Sequence, residues 1–193
     1  MKKKRICAAV IAFCLIVLYG IRVYAVNADV KLPIRQVFQK GEVVSFGKDY
    51  NISTNDRSQG YTIQVLDSKI MTAKDFCQKY KIDDMGLVKY YYMVKLSVKN
   101  VSNKNAGKEG VALGIAMLVG TDYTLIASPE ENMLMNPELP PMLSFSLELG
   151  KRTELWIAYS LIPGATPSSE QILKDPPMLQ ITQYPHRKLL RLS

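Results

Sequence analysis

Val88 to Asn100, VKYYYMVKLSVKN, repeats with a period of two: Tyr90, Tyr92, Val94, Leu96 and Val98 fall on one side, and Lys89, Tyr91, Met93, Lys95, Ser97 and Lys99 on the other. Successive side chains of a strand point to opposite faces, so this stretch predicts a half-buried central β-strand with a wet, basic outer face. Lys89, Lys95 and Lys99 on that face are the one ordered charge feature in the sequence. A row of this kind is usually a solvated face that discourages edge pairing, and its functional alternative is attraction to anionic polymers or lipid headgroups.

Outward from this strand the same period recurs in short runs. Tyr61 to Met71 places Tyr61, Ile63 and Val65 on one face and then Leu66 and Ile70 on the other, which a bulge near Asp67 or Ser68 reconciles. Thr72 to Asp75 has the Thr-x-x-acid form of a helix start, and Ala73, Phe76, Cys77 and Tyr80 recur at helical spacing, so a short helix lies against the sheet with Cys77 as a buried, inert thiol. Gly110 to Gly120 reads as a strand covered on both sides, with Ala112, Gly114 and Ala116 making one face small enough for close packing, and Tyr123 to Ala127 as its partner. Ser144 to Leu149 and Thr153 to Ile162 both alternate, and Gly150-Lys151-Arg152 between them reads as a hairpin turn. Glu42 to Phe46, Met178 to Tyr184 and Lys188 to Leu192 supply further strands. Seven to nine short strands separated by turn signals predict an all-β sandwich with one or two short helices.

Two local features stand out as candidates for recognition. Ser128-Pro129-Glu130-Glu131 combines an N-cap, a proline at the first helical position and an early glutamate, and the stretch that follows carries Met133, Met135 and Met142 among prolines. Flexible methionines on a loop can form an adaptable partner surface, although methionine more often fills cores. Trp156 falls opposite Leu155, Ile157, Tyr159 and Leu161, which makes it a candidate ligand platform if exposed.

The amino terminus sets the placement. Lys2, Lys3, Lys4 and Arg5 precede sixteen uncharged residues from Ile6 to Ile21, and residues 1–26 read as a single membrane helix with its amino terminus in the cytoplasm. The competing reading is an export signal cleaved near Ala25 or Ala28, leaving a secreted domain. Residues 27–39, with Pro33, read as an extended stalk, and residues 40–193 as the folded domain. The net charge of +8 is concentrated at this end: without Lys2, Lys3, Lys4, Arg5 and Arg22 there are 20 basic residues against 17 acidic, or +3. That is an ordinary surface, so nucleic acid is not expected as a partner. Of three cysteines, Cys7 and Cys14 lie in the apolar segment, leaving Cys77 without an intradomain partner.

His186, the one histidine, sits among basic residues near the chain end and reads as a solvated terminal histidine. It leaves a histidine-rich metal site without ligands, and no Gly-x-Ser-x-Gly elbow presents a serine to it. Gly107 to Gly110 lacks the P-loop spacing. No catalytic residue, metal or cofactor is expected, and the chain reads as a non-enzyme.

YYYMVKLSVKNVSNKN, the later GKRTELWIAYSLIP and the closing MLQITQY together resemble the telokin-like, immunoglobulin-like domains of unknown function that Gram-positive bacteria attach to a lipid or single-helix anchor. The resemblance covers roughly Lys40 to Tyr184, with Gly150 and Pro163 bracketing the later strand. It implies an immunoglobulin-like β-sandwich outside the membrane and carries over no catalytic residue. The acid-capped, Met/Pro-rich segment from Ser128 to Met142 departs from that pattern, as does the lack of a lipid-attachment cysteine. The leading expectation is a membrane-anchored interaction module with a protein or cell-wall partner and with membrane lipid around its helix. The alternative is an accessory sensor or transporter subunit that pairs through the single helix.

Overall fold

The computed structural model describes residues 2–28, 30–51 and 57–193. They form two compact units, which divide between Leu32 and Pro33. Asn51 to Gly60 is polar and turn-rich in sequence and reads as a loop, and its residues 52–56 lie outside the described residues.

The first unit is one helix, α1 (Lys2–Ala28), which at ~1.5 Å per residue is roughly 40 Å long. Its stretch Val10–Ala28 is long and apolar enough to cross a membrane. The large apolar side chains described there, from Val10 and Ile11 through Phe13, Leu15 and Ile16 to Tyr24 and Val26, are all exposed within the unit. A helix apolar around its circumference has no soluble face, which is the pattern of a membrane span or export signal.

The second unit is mostly β. Its strands are β1 (Ile34–Phe38), β2 (Val44–Ser45), β3 (Tyr61–Thr72), β4 (Tyr90–Asn100), β5 (Val111–Ala112), β6 (Met117–Val119), β7 (Thr124–Ile126), β8 (Ser144–Phe145), β9 (Arg152–Leu161), β10 (Met178–Gln180) and β11 (His186–Arg191). Three short helices, α2 (Ala73–Tyr80), α3 (Pro129–Met135) and α4 (Ser169–Lys174), and a 3₁₀ turn at Pro141–Leu143 interrupt them. One sheet has the order β1-β11-β10-β6-β7, a second β2-β3-β4-β9, and β5 pairs with β8 in a small third. One apolar cluster draws on all three: Ile63, Val94, Leu96, Ile157 and Tyr159 from the second sheet, Leu118, Leu125, Leu179 and Leu190 from the first, and Val111 and Phe145 from the third. Each of these side chains contributes about 1.5–3 kcal/mol on burial before chain entropy is set against it.

Several local readings reappear. β3 and β4 pair in antiparallel register with a shift between Val65 and Asp67, the expected bulge. Thr72 caps α2 by accepting from the Asp75 backbone N–H at 3.1 Å. Ser168 and Gln171 complete a capping box on α4.

Other readings are corrected. The span taken as the end of a stalk, 33–39, contains β1, which pairs in parallel with β11; the Ile34 N–H donates to the Pro185 carbonyl at 3.0 Å. Gly110 to Gly120 is two strands, not one. Gly114 lies in the break between them, where a Cβ would clash with the Met142 carbonyl oxygen, so two backbones approach closely there. The Gly114 N–H donates to that same carbonyl at 2.9 Å. The expected hairpin of 144–149 with 153–162 does not form: β8 pairs with β5 and β9 with β4. Leu147 is diverted, its N–H donating to the Tyr61 hydroxyl at 3.0 Å and its carbonyl accepting from Asn100 Nδ2 at 2.7 Å.

The wet outer face expected of β4 is also largely covered. Tyr91 and Met93 are buried there in a second apolar cluster with Ala73 and Phe76 of α2 and with Ala158 of β9. The Phe76 and Tyr91 rings lie 4.2 Å apart, centroid to centroid. An amphipathic helix laid across that half of the strand removes the face from water, so the lysines are not one continuous row.

Candidate functional site

Strand β9 is an edge of the second sheet, and its outward N–H and C=O groups need partners. They are supplied by one turn-and-helix segment. Ser128, Asn132 and Asn136 recur every four residues, about 6 Å along a helix, while Ser160, Ala158 and Trp156 recur every two, about 6.7 Å along a strand. The two repeats nearly match, so each side chain meets one strand residue. Ser128 Oγ accepts from the Ser160 N–H at 2.9 Å and Asn132 Oδ1 from the Ala158 N–H at 2.7 Å. Asn136 accepts from the Trp156 N–H at 2.9 Å and donates to the Trp156 carbonyl at 2.8 Å. Ser128 stands at the N-cap of α3 but makes no side-chain cap bond, because its hydroxyl serves the strand edge. The Ser128 to Met142 segment therefore shields an edge that could otherwise pair with another chain.

The candidate residues are distributed over this surface and do not converge. Met133 and Met135 lie on α3, not on a loop. Met133 is exposed, while Met135 packs against the second cluster beside Trp156. Met142 is exposed on the 3₁₀ turn with φ 62°. Trp156 is half-buried with Lys69 Nζ 4.9 Å from its ring centroid, so its ring stacks under a cation of its own domain. Lys95 pairs with Glu154 at 2.7 Å, and Lys99 is exposed opposite Arg152. Lys89 borders a cleft of about 480 Å³ lined also by Tyr90, Pro163, Pro167 and Gln171.

A larger cleft of about 650 Å³ is lined by Phe46, Tyr50, Arg57, Glu138, Phe145 and Leu147 among others. Its volume falls within the range of about 300–1,000 Å³ typical of ligand sites, and it combines aromatic walls with charges of both signs. Glu109, also in its wall, accepts from Asn103 Nδ2 at 3.0 Å. Hydrogen bonds from Asn105 and Asn103 hold its carboxyl below the usual range.

Near this cleft is a cluster the sequence reading missed. Lys188 turns inward from β11 and its Nζ donates to the Ser45 and Phe46 carbonyls at 2.7 and 3.0 Å and to Asp49 Oδ2 at 2.6 Å. The other Asp49 oxygen meets His186 Nδ1 at 2.9 Å. His186 is thus a half-buried partner of a buried carboxylate and not a solvated terminal residue. Burial works to raise the Asp49 carboxyl, but hydrogen bonds from Lys188 and His186 outweigh it and hold the group below its ordinary value. The signal was available in the alternation Lys188, Leu190, Leu192, which puts a lysine in an apolar row. Elsewhere burial, then Asp84, Asp83 and Glu131, raises the Cys77 thiol, in keeping with an inert cysteine.

Residues 35–188 match the family model described as "Domain of unknown function (DUF5028)". No curated protein matches. Among solved structures the chain is similar to "a functionally unknown protein from Listeria monocytogenes EGD-e", with 14% identity over 74% of this chain and 78% of that one and a TM-score of 0.41.

Proposed function

Since the chain belongs to the DUF5028 family of domains of unknown function, we propose its role from its own architecture: a non-enzymatic, membrane-anchored extracytoplasmic interaction module. The observation that carries this reading is α1, whose described apolar side chains are exposed all round and which precedes a β-rich unit with its own core. Lys2, Lys3, Lys4 and Arg5 ahead of the apolar stretch favour a cytoplasmic amino terminus and an outward domain. For that domain we infer the telokin-like, immunoglobulin-like sandwich. The reading is supported by a chain that crosses between the two larger sheets after β1, β4, β7 and β9 and by the apolar cluster they share. The larger cleft and the exposed Met133, Leu134 and Met142 are the surfaces offered to a protein or wall-polymer partner.

The test is the mass and amino terminus of the protein from membrane and medium fractions of its host, followed by cross-linking of intact cells. An uncleaved chain in the membrane with a reproducible cross-linked partner is the expected result. A terminus at Val26 or Asp29 in the medium refutes the anchor, and the lack of any reproducible partner refutes the interaction role. Replacing Ile6 to Val26 by an unrelated anchor then separates this module, which keeps its partner, from an accessory subunit paired through its helix, which loses it.

A further inference from the structure

Strand β1 is an edge of the five-stranded sheet and has β11 on one side only. The Ile34 N–H donates to the Pro185 carbonyl on that side, and backbone groups alternate in direction along a strand. Ile34, Gln36 and Phe38 therefore serve β11, while the N–H and C=O groups of Arg35 and Val37 face outward. None of those four groups has a hydrogen-bond partner among the described residues. Other edges are covered or short. The Ser128 to Asn136 segment covers β9, Lys188 takes the Ser45 carbonyl at β2, β7 has three residues, and β5 and β8 have two each. Among the described strands β1 has the longest uncovered edge, the kind of surface to which a further strand adds.

The sequence of β1, Ile-Arg-Gln-Val-Phe, suits a second copy of itself. In an antiparallel pair about a two-fold axis at Gln36, Arg35 stands opposite Val37 of the second copy and Val37 opposite its Arg35, which closes four N–H to C=O bonds. A register centred on Arg35 sets like charges face to face and calls on Pro33, which has no N–H. One centred on Val37 calls on Gln39, whose carbonyl already accepts from the Glu42 N–H. The Gln36 register also meets two needs of the single chain. Gln36 is half-buried and its amide has no hydrogen bond among the described residues, and Ile34 is 61% exposed. Across the two-fold, Gln36 faces Gln36 and Ile34 faces Phe38. The tether permits it. Five residues separate Ala28, the end of α1, from Ile34, a reach of up to roughly 21 Å. The two Ile34 residues of such a pair lie four residues apart along the strands, about 13 Å, and one strand spacing of about 4.8 Å across, so both chains can enter one membrane. Anchoring there gives the copies a common orientation, which removes part of the freedom that association would otherwise cost.

We propose that two copies of the chain pair through their β1 edges in the membrane that holds them, which rests on the anchored reading above. The test uses the full chain with Cys7→Ala and Cys14→Ala, reconstituted in phosphatidylcholine liposomes, with Gln36→Cys as the probe. Cα atoms of a non-hydrogen-bonded pair lie about 4.5 Å apart, within the ~4.4–6.8 Å range of a disulfide, so a copper–phenanthroline oxidant should yield a covalent dimer. Ile126→Cys, exposed on β7 at the opposite edge of the sheet, is the control and should yield at least about tenfold less. Val37→Pro removes an outward N–H and leaves every β1–β11 bond in place, so it should cut the Gln36→Cys dimer at least about fivefold with an unaltered circular dichroism spectrum. Val37→Arg, which opposes Arg35 of the second copy, should lower the yield, and Val37→Glu should raise it. Equal yields from Gln36→Cys and Ile126→Cys, or a yield indifferent to Val37→Pro and to the charge placed at Val37, overturn the proposal. In host membranes, a disulfide from Gln36→Cys to a protein of another mass in place of the dimer overturns the second copy as the occupant. A chain that is not recovered in the liposomes overturns the anchored reading, whereas an anchored, folded chain without the dimer overturns the pairing alone.

Discussion

Replacing Asn136 with alanine removes both bonds by which α3 holds the Trp156 backbone, the N–H at 2.9 Å and the C=O at 2.8 Å. Each buried polar group left unpaired costs about 1–3 kcal/mol, and because Trp156 is half-buried, water recovers part of each; the expected loss is about 2–3 kcal/mol. For a unit of this size, 1 kcal/mol corresponds to about 2–4 °C, so the midpoint should fall by roughly 5–10 °C. Asn136→Asp should cost at least as much, since a carboxylate keeps the acceptor for the N–H but sets an oxygen against the Trp156 carbonyl. The assay is urea and thermal denaturation of the full chain in detergent micelles, followed by the fluorescence of its single tryptophan, which sits at the altered edge. Met133→Ser, on the exposed side of the same helix, is the control and should stay within about 0.5 kcal/mol. If Asn136→Ala also stays within that limit, α3 does not hold the β9 edge and the account of this segment is wrong.

Asp49→Asn strands the buried Lys188 ammonium and should cost about 3–5 kcal/mol, while adding Lys188→Met should recover much of the loss, as chemical denaturation of the single and double variants would reveal. Because the folded Asp49 carboxyl sits below its ordinary value, its contribution is fully present above that value and is lost as pH falls through the folded one. Stability of the parent chain should therefore decline in the acid range more steeply than that of Asp49→Asn; parallel pH profiles would contradict the assignment. The Cys77 thiol, buried and raised, should resist maleimide at neutral pH in the native chain and react once the domain is unfolded in urea. Gly114→Ala forces a Cβ against the Met142 carbonyl and should cost at least about 2 kcal/mol in thermal or urea melts, where an unchanged melt would mean the two backbones are not in contact.

What is local is legible in short windows of the chain. The alternation of Val88 to Asn100 and of Thr153 to Ile162 marks β4 and β9, the phase change near Asp67 marks the bulge, the Thr72 cap and the spacing of Phe76, Cys77 and Tyr80 mark α2, and the uncharged run after Arg5 marks α1. Each is a matter of side-chain period or of a cap within four residues, which a single window contains. Which strands pair is not written in any window, because backbone N–H and C=O groups are the same at every residue. Only the tertiary structure set β1 beside β11, about 150 residues away, and sent β8 to β5 in place of the nearer β9. The same holds for the polar groups that mattered most. Asn132, Asn136, Asp49 and Lys188 look like surface residues in the chain, and they are tolerated in the interior because their partners arrive from distant segments. Burial with a partner is a property of the assembled fold, since the cost of desolvation is met only when both ends of the bond are in place.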